Sequence, residues 1–251
     1  MSPQSDLAAY RRVLSALREQ ILSGALGEGD KLPSVREIVA EYHVATGTAA
    51  RAINALQAEG LVVTRHGSGV YVRTFRKIPR SSPARLSRER WGSGQAIQDA
   101  DVDPQERERV ADIEVGETAV PEFAAGPLQV APGSSVIFRS RRYIIDDRPV
   151  QIATSYFPPE LVRGTAIMHT DTGPGGSYAR LAEQGHAPMT FTEYVRARMP
   201  IPTETERLGL TEGVPVIEIT RHALEAGGRC VEVNRMILDG SAYLLDYTFP
   251  A

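Results

Sequence analysis

Residues 46–72 read TGTAARAINALQAEGLVVTRHGSGVYV, and this stretch decides the fold of the N-terminal region. Its first half has apolar residues at helical spacing, which predict a helix buried on one side. These apolar residues are Ala49, Ala50, Ile53 and Leu56. Thr46 is the predicted N-cap of this helix, and Gly60 is its predicted stop. Residues 61–65 and 70–73 are strand-like, and the glycines between them are typical of a hairpin tip, so the stretch predicts a winged helix.

The other side of this helix is short-chained and polar. Gly47, Arg51 and Asn54 share it, and such a surface lets a helix approach base edges closely. In the major groove an arginine can bond guanine and an asparagine can bond adenine. The alternative is an ordinary solvated face.

Two more helices are predicted before this stretch. The first has an apolar face and ends near Gly24. That face consists of Tyr10, Val13, Leu14, Leu17 and Ile21. The tetrad at residues 34–37, Ser-Val-Arg-Glu, has the form of a capping box and begins the second helix. Because a tight turn at 43–45 separates the second helix from the third, the pattern predicts a helix-turn-helix.

Composition excludes several classes of protein. The chain has 251 residues, of which 42% are apolar and 24% charged, as expected of a globular protein with one or two domains. A single cysteine, Cys230, permits no disulfide within the chain, and we therefore expect the protein to lie in the cytoplasm. We expect the Cys230 side chain to be a small buried apolar group. We expect neither export nor a membrane span, and the scattered histidines predict no metal or other cofactor.

Charge divides the chain unevenly. Residues 1–90 carry 14 basic and 8 acidic side chains, whereas the remaining 161 residues carry 14 and 23. Seven basic residues lie within residues 73–90 among prolines and serines. We therefore predict a basic linker over residues 76–108, either as a solvated tether or as a strap that also contacts DNA phosphates.

The acidic part contains a weak internal repeat. Strand-like residues 136–141 and 148–151 resemble residues 216–221 and 229–232, at an offset of 80 that becomes 81. Each copy reads as a β-hairpin within one α+β domain, and the alternative is chance similarity. The repeat makes Arg141 equivalent to Arg221, and Gln151 equivalent to Glu232.

A glycine-rich turn precedes another predicted helix in this part. Residues 173–177, Gly-Pro-Gly-Gly-Ser, would present free amides and the positive end of the helix dipole to an anion or carbonyl. The turn lacks the lysine of a nucleotide P-loop. A plain loop with a helix cap is the alternative.

The N-terminal motifs resemble the GntR family of bacterial transcription regulators. The resemblance covers about residues 8–74 and rests on LPSVRE at 32–37, the helix beginning at Thr46, and RHGSGVYV at 65–72. It implies DNA contacts from the second helix, the start of the third helix and the wing. Those residues are Ser34, Arg36, Thr46, Gly47, Thr48, Arg65, His66, Gly67 and Ser68, beside Arg51 and Asn54. The family's usual Ser-Arg-x-Thr-Val-Arg is absent here, and the arginine comes one place later, at Arg51.

Residues 109–249 resemble the effector-binding domain of the HutC branch, called UTRA, whose fold is like that of chorismate lyase. The resemblance implies a ligand site containing Arg141, Tyr178 and Glu232, to which we add Tyr143, Ser155 and Arg221. Tyr143, Gly176 and Ala153 replace an arginine, a serine and a carboxylate of the sugar-phosphate-binding relatives. These replacements argue against a phosphorylated sugar and leave a carboxylate- or carbonyl-bearing effector. Arg141 and Glu232 pairing only with each other is the alternative.

The combined prediction is a ligand-responsive repressor that binds operator DNA as a homodimer. It has a DNA-binding domain at 1–75, the linker at 76–108, and an effector-binding and dimerisation domain at 109–251. One alternative is an architectural DNA binder without a ligand. Another is an enzyme in which Arg141 anchors an acid and Glu232 acts as general acid, which the attached DNA-binding module argues against.

Overall fold

A computed structural model describes residues 3–65, 67–74, 78–81, 85–94, 108–145 and 147–248. The chain divides into two compact units. The first contains residues 1–76 and 210–214, and the second contains residues 77–209 and 215–251. His66 and much of the predicted linker lie outside the described residues.

The first unit contains the predicted winged helix. Its elements are α1 (Pro3–Leu22), α2 (Val35–Tyr42), α3 (Thr46–Ala58), β1 (Val62–Arg65) and β2 (Gly69–Val72). The two strands pair antiparallel, and one apolar core joins the three helices. Val13, Leu17, Ile38 and Leu56 are buried in that core, as the periodicity predicted. Ala50 was also predicted to face inward, but it is only partly buried and lies outside the core.

Helix ends follow the predicted signals except at one position. The Ser34 hydroxyl accepts from the Glu37 amide at 3.3 Å, and the Glu37 carboxylate accepts from the Ser34 amide at 2.7 Å, which completes the capping box. The prediction that Thr46 caps α3 is wrong. Ala45 occupies the N-cap without a side-chain hydrogen bond, and Thr46 is the first helical residue. Gly60 follows α3 with a φ of +71°, as its role as a stop requires.

The second unit is built on a six-stranded antiparallel sheet in the order β4-β5-β6-β9-β8-β7. Its strands are β4 (Glu108–Ala119), β5 (Ser135–Ile145), β6 (Arg148–Phe157), β7 (Pro188–Arg198), β8 (Val216–Glu225) and β9 (Cys230–Asp239). A second, two-stranded sheet pairs β3 (Ile78–Ser81) parallel with β10 (Tyr243–Asp246). The helices are α4 (Arg88–Gly92), α5 (Glu122–Leu128), α6 (Pro159–Val162), α7 (Gly176–Glu183) and α8 (Pro202–Leu208). This unit therefore has the predicted α+β fold with an antiparallel sheet.

Both hairpins of the internal repeat are present. β5 pairs with β6, β8 pairs with β9, and β6 and β9 join the two hairpins at the centre of the sheet. Equivalent positions of the two hairpins therefore lie close to the same two central strands, β6 and β9.

Parts of the predicted linker are packed into the second unit. β3 pairs with β10, the Arg80 side chain on β3 is fully buried, and Arg85 is buried as well. Trp91 belongs to an apolar cluster with Phe157 and Tyr178. Residues 78–81 and 85–94 are therefore not the solvated tether that one interpretation of the sequence predicted, because strand pairing and burial of an aromatic ring hold them in place.

Candidate functional site

The first unit presents a polar face on α3. Gly47, Arg51 and Asn54 are all exposed there, as the helical spacing predicted. The Arg51 guanidinium lies 4.4 Å from the centroid of the Tyr10 ring, a distance typical of a cation–π contact. Arg36 and Ser34 are also exposed, at the start of α2. A short-chained helix with two cationic or amide side chains at its surface can bond base edges.

Thr48 does not belong to this face. It is only 4% exposed, and its hydroxyl donates a hydrogen bond to the Asp6 carboxylate on α1. The prediction that Thr48 contacts DNA is therefore corrected. Thr48 instead joins α3 to α1, because its side chain turns toward the helical core.

The wing has the backbone shape that its glycines predicted. Gly67 has a φ of +71°, and the Ser68 amide donates to the Arg65 carbonyl at 2.9 Å to close the turn. Arg65 lies 4.4 Å from the centroid of the Tyr71 ring and is exposed next to the tip of the hairpin, where it pairs with Gly69. Gly67 and Gly69 have no side chains, so their backbone can come close to another molecule.

A cavity of about 340 Å³ lies over one face of the large sheet in the second unit. Five of the six predicted ligand residues line it, namely Arg141, Tyr143, Tyr178, Arg221 and Glu232. The sixth, Ser155, lies beneath them, where its hydroxyl accepts from two nitrogens of Arg141 at 3.2 Å each. The structure therefore brings together residues that are up to 91 positions apart in the sequence.

Strand register explains how these residues meet. Arg139 on β5 lies opposite Ser155 on β6, and Ser155 lies opposite Asn234 on β9. Asn234 in turn lies opposite Arg221 on β8, which lies opposite Glu193 on β7. Since residues directly opposite each other in a sheet share a face, these five side chains form one polar row across five strands. We call them the polar row.

Two guanidinium groups face the cavity from β5. Arg139 donates to the carbonyls of His169 and Thr170, and Arg141 donates to the Tyr143 hydroxyl at 2.7 Å. Among the described residues neither arginine forms an ion pair with a carboxylate. Burial and the adjacent charge of Arg141 lower the pKa of Arg139 to about 10. This end of the cavity is therefore positive and can receive an anion.

The acidic side chain of the cavity has its own partner. Glu232 is 1% exposed, and its carboxylate accepts from the Tyr178 hydroxyl at 2.6 Å. Burial and the charge of Glu232 raise the pKa of Tyr178, so its phenol stays protonated and donates. Arg141 and Glu232 form no direct ion pair among the described residues, although the charges of Tyr143 and Glu232 outweigh burial and raise the pKa of Arg141.

Arg221 has a carboxylate partner on the adjacent strand. Two of its nitrogens donate to Glu193 at 2.9 and 2.7 Å, and Arg80 of β3 donates to the same carboxylate oxygen at 3.1 Å. Because Glu193 is shared by two buried arginines, it offsets their positive charge only in part.

Sequence reasoning missed several residues of the cavity. Arg139, Gln151, Asn234 and Arg85 also line it. Strand alternation offered a signal for Arg139, since it lies two residues before Arg141, and the internal repeat offered one for Gln151. Asn234 had no signal, although its Oδ1 is buried without a hydrogen-bond partner among the described residues. Such an acceptor is costly unless a ligand or water donates to it.

The glycine-rich turn lies at the rim of this cavity. Gly175 caps α7, and Gly175, Gly176 and Ser177 line the cavity at the start of the helix. Tyr178 projects inward from the same helix. The described residues contain no group of three or more His, Cys, Asp or Glu side chains that could hold a metal ion. No described helix is long and apolar enough to cross a membrane.

Comparison with known proteins gives two domain matches and full-length relatives. Residues 107–243 match the UTRA domain, and residues 9–72 match bacterial regulatory proteins of the gntR family. An HTH-type transcriptional regulator of Streptomyces coelicolor is 29% identical over 99% of this chain and 94% of its own length. The histidine utilization repressor of Pseudomonas aeruginosa is 28% identical over 96% of this chain and 90% of its own. A solved structure assigned to the GntR-family transcriptional regulators has a TM-score of 0.67 and 28% identity, covering 97% of this chain and 98% of that chain.

Proposed function

This chain belongs to the transcriptional regulators that join a GntR-type DNA-binding domain to a UTRA domain, and from this we propose that it is a cytoplasmic repressor released from its operator by an anionic effector. Like the proteins that resemble it over nearly their full length, it is a regulator and not an enzyme. We propose repression because one of these relatives is the histidine utilization repressor. The proposal keeps the domain bounds 1–75, 76–108 and 109–251.

The charge of the cavity carries the effector part of this proposal. Arg139 is buried and Arg141 is half-buried next to it on β5, and their described partners are carbonyl and hydroxyl oxygens. A buried cation is stabilised most by a hydrogen-bonded anion, so a carboxylate or another small anionic group is the ligand chemistry that fits. The Oδ1 of Asn234 would accept a hydrogen bond from the rest of the ligand.

Operator release is the direct test of the effector site. The operator would first be identified by selecting, from a pool of random duplexes, those that bind the wild-type protein. Release of the protein from the labelled operator by each of a panel of small organic acids would then be measured by fluorescence anisotropy. Arg141→Ala should still bind the operator, but the acid that releases the wild type from the operator should no longer release this variant. Arg142→Ala is the matched control, because Arg142 pairs with Asp112 instead of lining the cavity. Release of Arg141→Ala at wild-type concentrations of acid would refute the site.

The DNA interface of the proposal consists of α3, the start of α2, and the wing. Arg36→Ala and Arg51→Ala should each weaken operator binding by about 1–3 kcal/mol if the two arginines bond bases. Gly67→Val should weaken binding by keeping the wing backbone away from the duplex. Arg11→Ala, an exposed arginine of α1, is the control for loss of charge alone. Unchanged affinity in the first three variants at constant salt would rule this interface out.

A homodimer through β7 completes the proposal. Among the described residues β7 pairs only with β8, so no described strand occupies its other edge. Tyr194 and Val195 are adjacent and point to opposite faces, yet they are 58% and 45% exposed. A strand segment that exposes Tyr194 and Val195 beside an unpaired edge is a template for pairing with a second copy.

The dimer proposal is tested by sedimentation of the full chain. Tyr194→Asp combined with Val195→Asp should shift the protein toward monomer, because the two charges would be buried in the interface. Leu244→Asp, at an exposed apolar position of β10, is the control and should leave the dimer intact. A double variant that sediments as the wild type would place the dimer interface elsewhere.

A further inference from the structure

Two arginines of the proposed DNA interface lie over tyrosine rings. The guanidinium carbon of Arg51 is 4.4 Å from the centroid of the Tyr10 ring, and that of Arg65 is 4.4 Å from the centroid of the Tyr71 ring. The first pair joins α3 to α1, and the second joins the two strands of the wing. A cation within about 6 Å of a ring centroid is attracted to the face of the ring. The same contact therefore occurs at both the helix and the wing.

The Tyr10 ring is itself held in place. Tyr10 is half-buried and packs against the apolar core of the first unit. One turn before it on α1, the Asp6 carboxylate accepts a hydrogen bond from the Thr48 hydroxyl, and Thr48 lies one turn before Arg51 on α3. These two contacts lie side by side between α1 and α3, so the ring has a fixed position relative to α3.

The Tyr71 ring is tied to the tip of the wing. Tyr71 is half-buried, and its hydroxyl oxygen lies 2.6 Å from the hydroxyl oxygen of Ser68. The Lys31 ammonium lies 6.0 Å from the centroid of the same ring, and the Lys31 backbone forms an antiparallel bridge with Tyr71. Two cations, Arg65 and Lys31, are therefore gathered around one ring beside the turn.

Contact with an aromatic ring leaves the donors of a guanidinium available. The ring attracts the charge through its face, whereas the N–H groups of arginine form a planar fork that suits a base edge or a phosphate. Among the described residues neither Arg51 nor Arg65 forms an ion pair with a carboxylate. Each arginine is therefore held in position without being neutralised.

We propose that Tyr10 and Tyr71 are positioning residues for operator recognition, each of which holds an arginine in place before DNA binds. The inference rests on the proposed DNA interface and adds two residues to it that act through Arg51 and Arg65. An unrestrained arginine side chain loses rotamer freedom when it binds, and this loss opposes binding. A side chain that the free protein already holds loses less. Tyr10 thus contributes to the choice of base pair without touching the DNA.

A double-mutant cycle on the full-length protein tests Tyr10. Binding of the selected operator, of operators with single base-pair changes, and of a random duplex would be measured by fluorescence anisotropy at constant salt. Tyr10→Leu should lower the affinity for the operator by about two- to fivefold, the effect of losing a cation–π contact at an exposed site. Affinity for the random duplex should stay unchanged, because the charge of Arg51 remains. Tyr10→Phe keeps the ring and should bind the operator as the wild type does.

The Arg51→Ala background distinguishes positioning from a structural role. Tyr10→Leu should not lower operator affinity further in Arg51→Ala, since the side chain that Tyr10 positions is already absent. A merely structural role of the ring would lower the affinity equally in both backgrounds. The same cycle with Tyr71→Leu and Arg65→Ala tests the wing. Tyr10→Met and Tyr71→Met provide the same tests if the leucine variants do not fold.

Tyr42→Leu is the matched control for loss of a tyrosine ring. Tyr42 is half-buried and packs against the same apolar core. Among the described residues its ring contacts no cation, so this variant should bind the operator as the wild type does.

The results decide the two tyrosines separately and distinguish them from the interface on which they depend. A loss of affinity that disappears in the arginine-to-alanine background supports the positioning role. An equal loss in both backgrounds, an equal loss in Tyr42→Leu, or no loss at all overturns the role of that tyrosine and leaves the interface intact. If Arg51→Ala or Arg65→Ala binds as the wild type does, or if the wild type selects no operator, that DNA contact is itself wrong and the inference fails with it.

Discussion

Replacement of Gly175 by alanine should destabilise the second unit, and the structure gives the size of the effect. Gly175 has a φ of +78°, a conformation that costs a residue with a Cβ about 1–2 kcal/mol. The added Cβ would also lie 2.5 Å from the Trp91 carbonyl oxygen, so backbone must shift at a further cost of about 1–3 kcal/mol. We expect Gly175→Ala to lower the free energy of unfolding by about 2–5 kcal/mol in total.

Gly176→Ala is the matched control for this prediction. Gly176 has a φ of +64°, but a Cβ there would meet no atom within 4 Å. It should therefore carry only the backbone cost of about 1–2 kcal/mol. The difference between the two variants reports the contacts that a Cβ at Gly175 would make with the Trp91 carbonyl oxygen and the Ala179 Cβ.

Urea unfolding followed by Trp91 fluorescence measures both variants, because Trp91 is buried in this unit and is the only tryptophan. The m-value should stay constant, so that a change of midpoint reports stability alone. Equal destabilisation by Gly175→Ala and Gly176→Ala would refute the reasoning, since Trp91 would then not lie against the turn.

Three further predictions concern stability and reactivity. Thr48→Val should lower stability by about 1 kcal/mol in thermal unfolding, through loss of the hydrogen bond to Asp6, without changing which operator sequence is preferred; a changed preference would contradict its buried position. The guanidinium of Arg198, with other arginines, outweighs burial and lowers the pKa of Glu218 to about 2. The stabilisation contributed by ionised Glu218 is complete above the pKa of this carboxyl in the unfolded chain, and it is lost as pH falls from about 4 to 2. Glu218→Gln should therefore make the free energy of unfolding depend less on pH in this acidic range. Burial raises the pKa of Cys230 to about 11, so a thiol reagent at neutral pH should label it only after urea unfolds the protein, and rapid labelling of folded protein would argue against burial.

The sequence alone determined the first unit almost completely. Apolar residues repeat at short range along α1 and α3, the Ser34–Glu37 capping box marks the start of α2, and two glycines mark the wing, so each element could be predicted from its own residues. The errors at Thr46 and Thr48 have different origins. The capping pattern placed the start of α3 one residue too late, at Thr46 instead of Ala45, and a helix boundary read from sequence is uncertain by about one or two residues. The family resemblance predicted that Thr48 contacts DNA, whereas in this chain its side chain is buried against α1.

Tertiary structure decided the composition of the cavity. Arg141, Tyr178 and Glu232 were expected together, and strand alternation offered a signal for Arg139, but Asn234 became visible only when the strands were aligned and their opposing residues formed the polar row. Arg85 differs most from what its sequence context predicts. A basic stretch rich in proline and serine is typical of solvated chain, yet the Arg85 side chain is buried in the cavity wall. Local residue patterns reflect hydrogen bonds and burial between near neighbours, whereas strand register and the packing of a linker depend on partners far away in the chain. Only the folded chain brings those partners together.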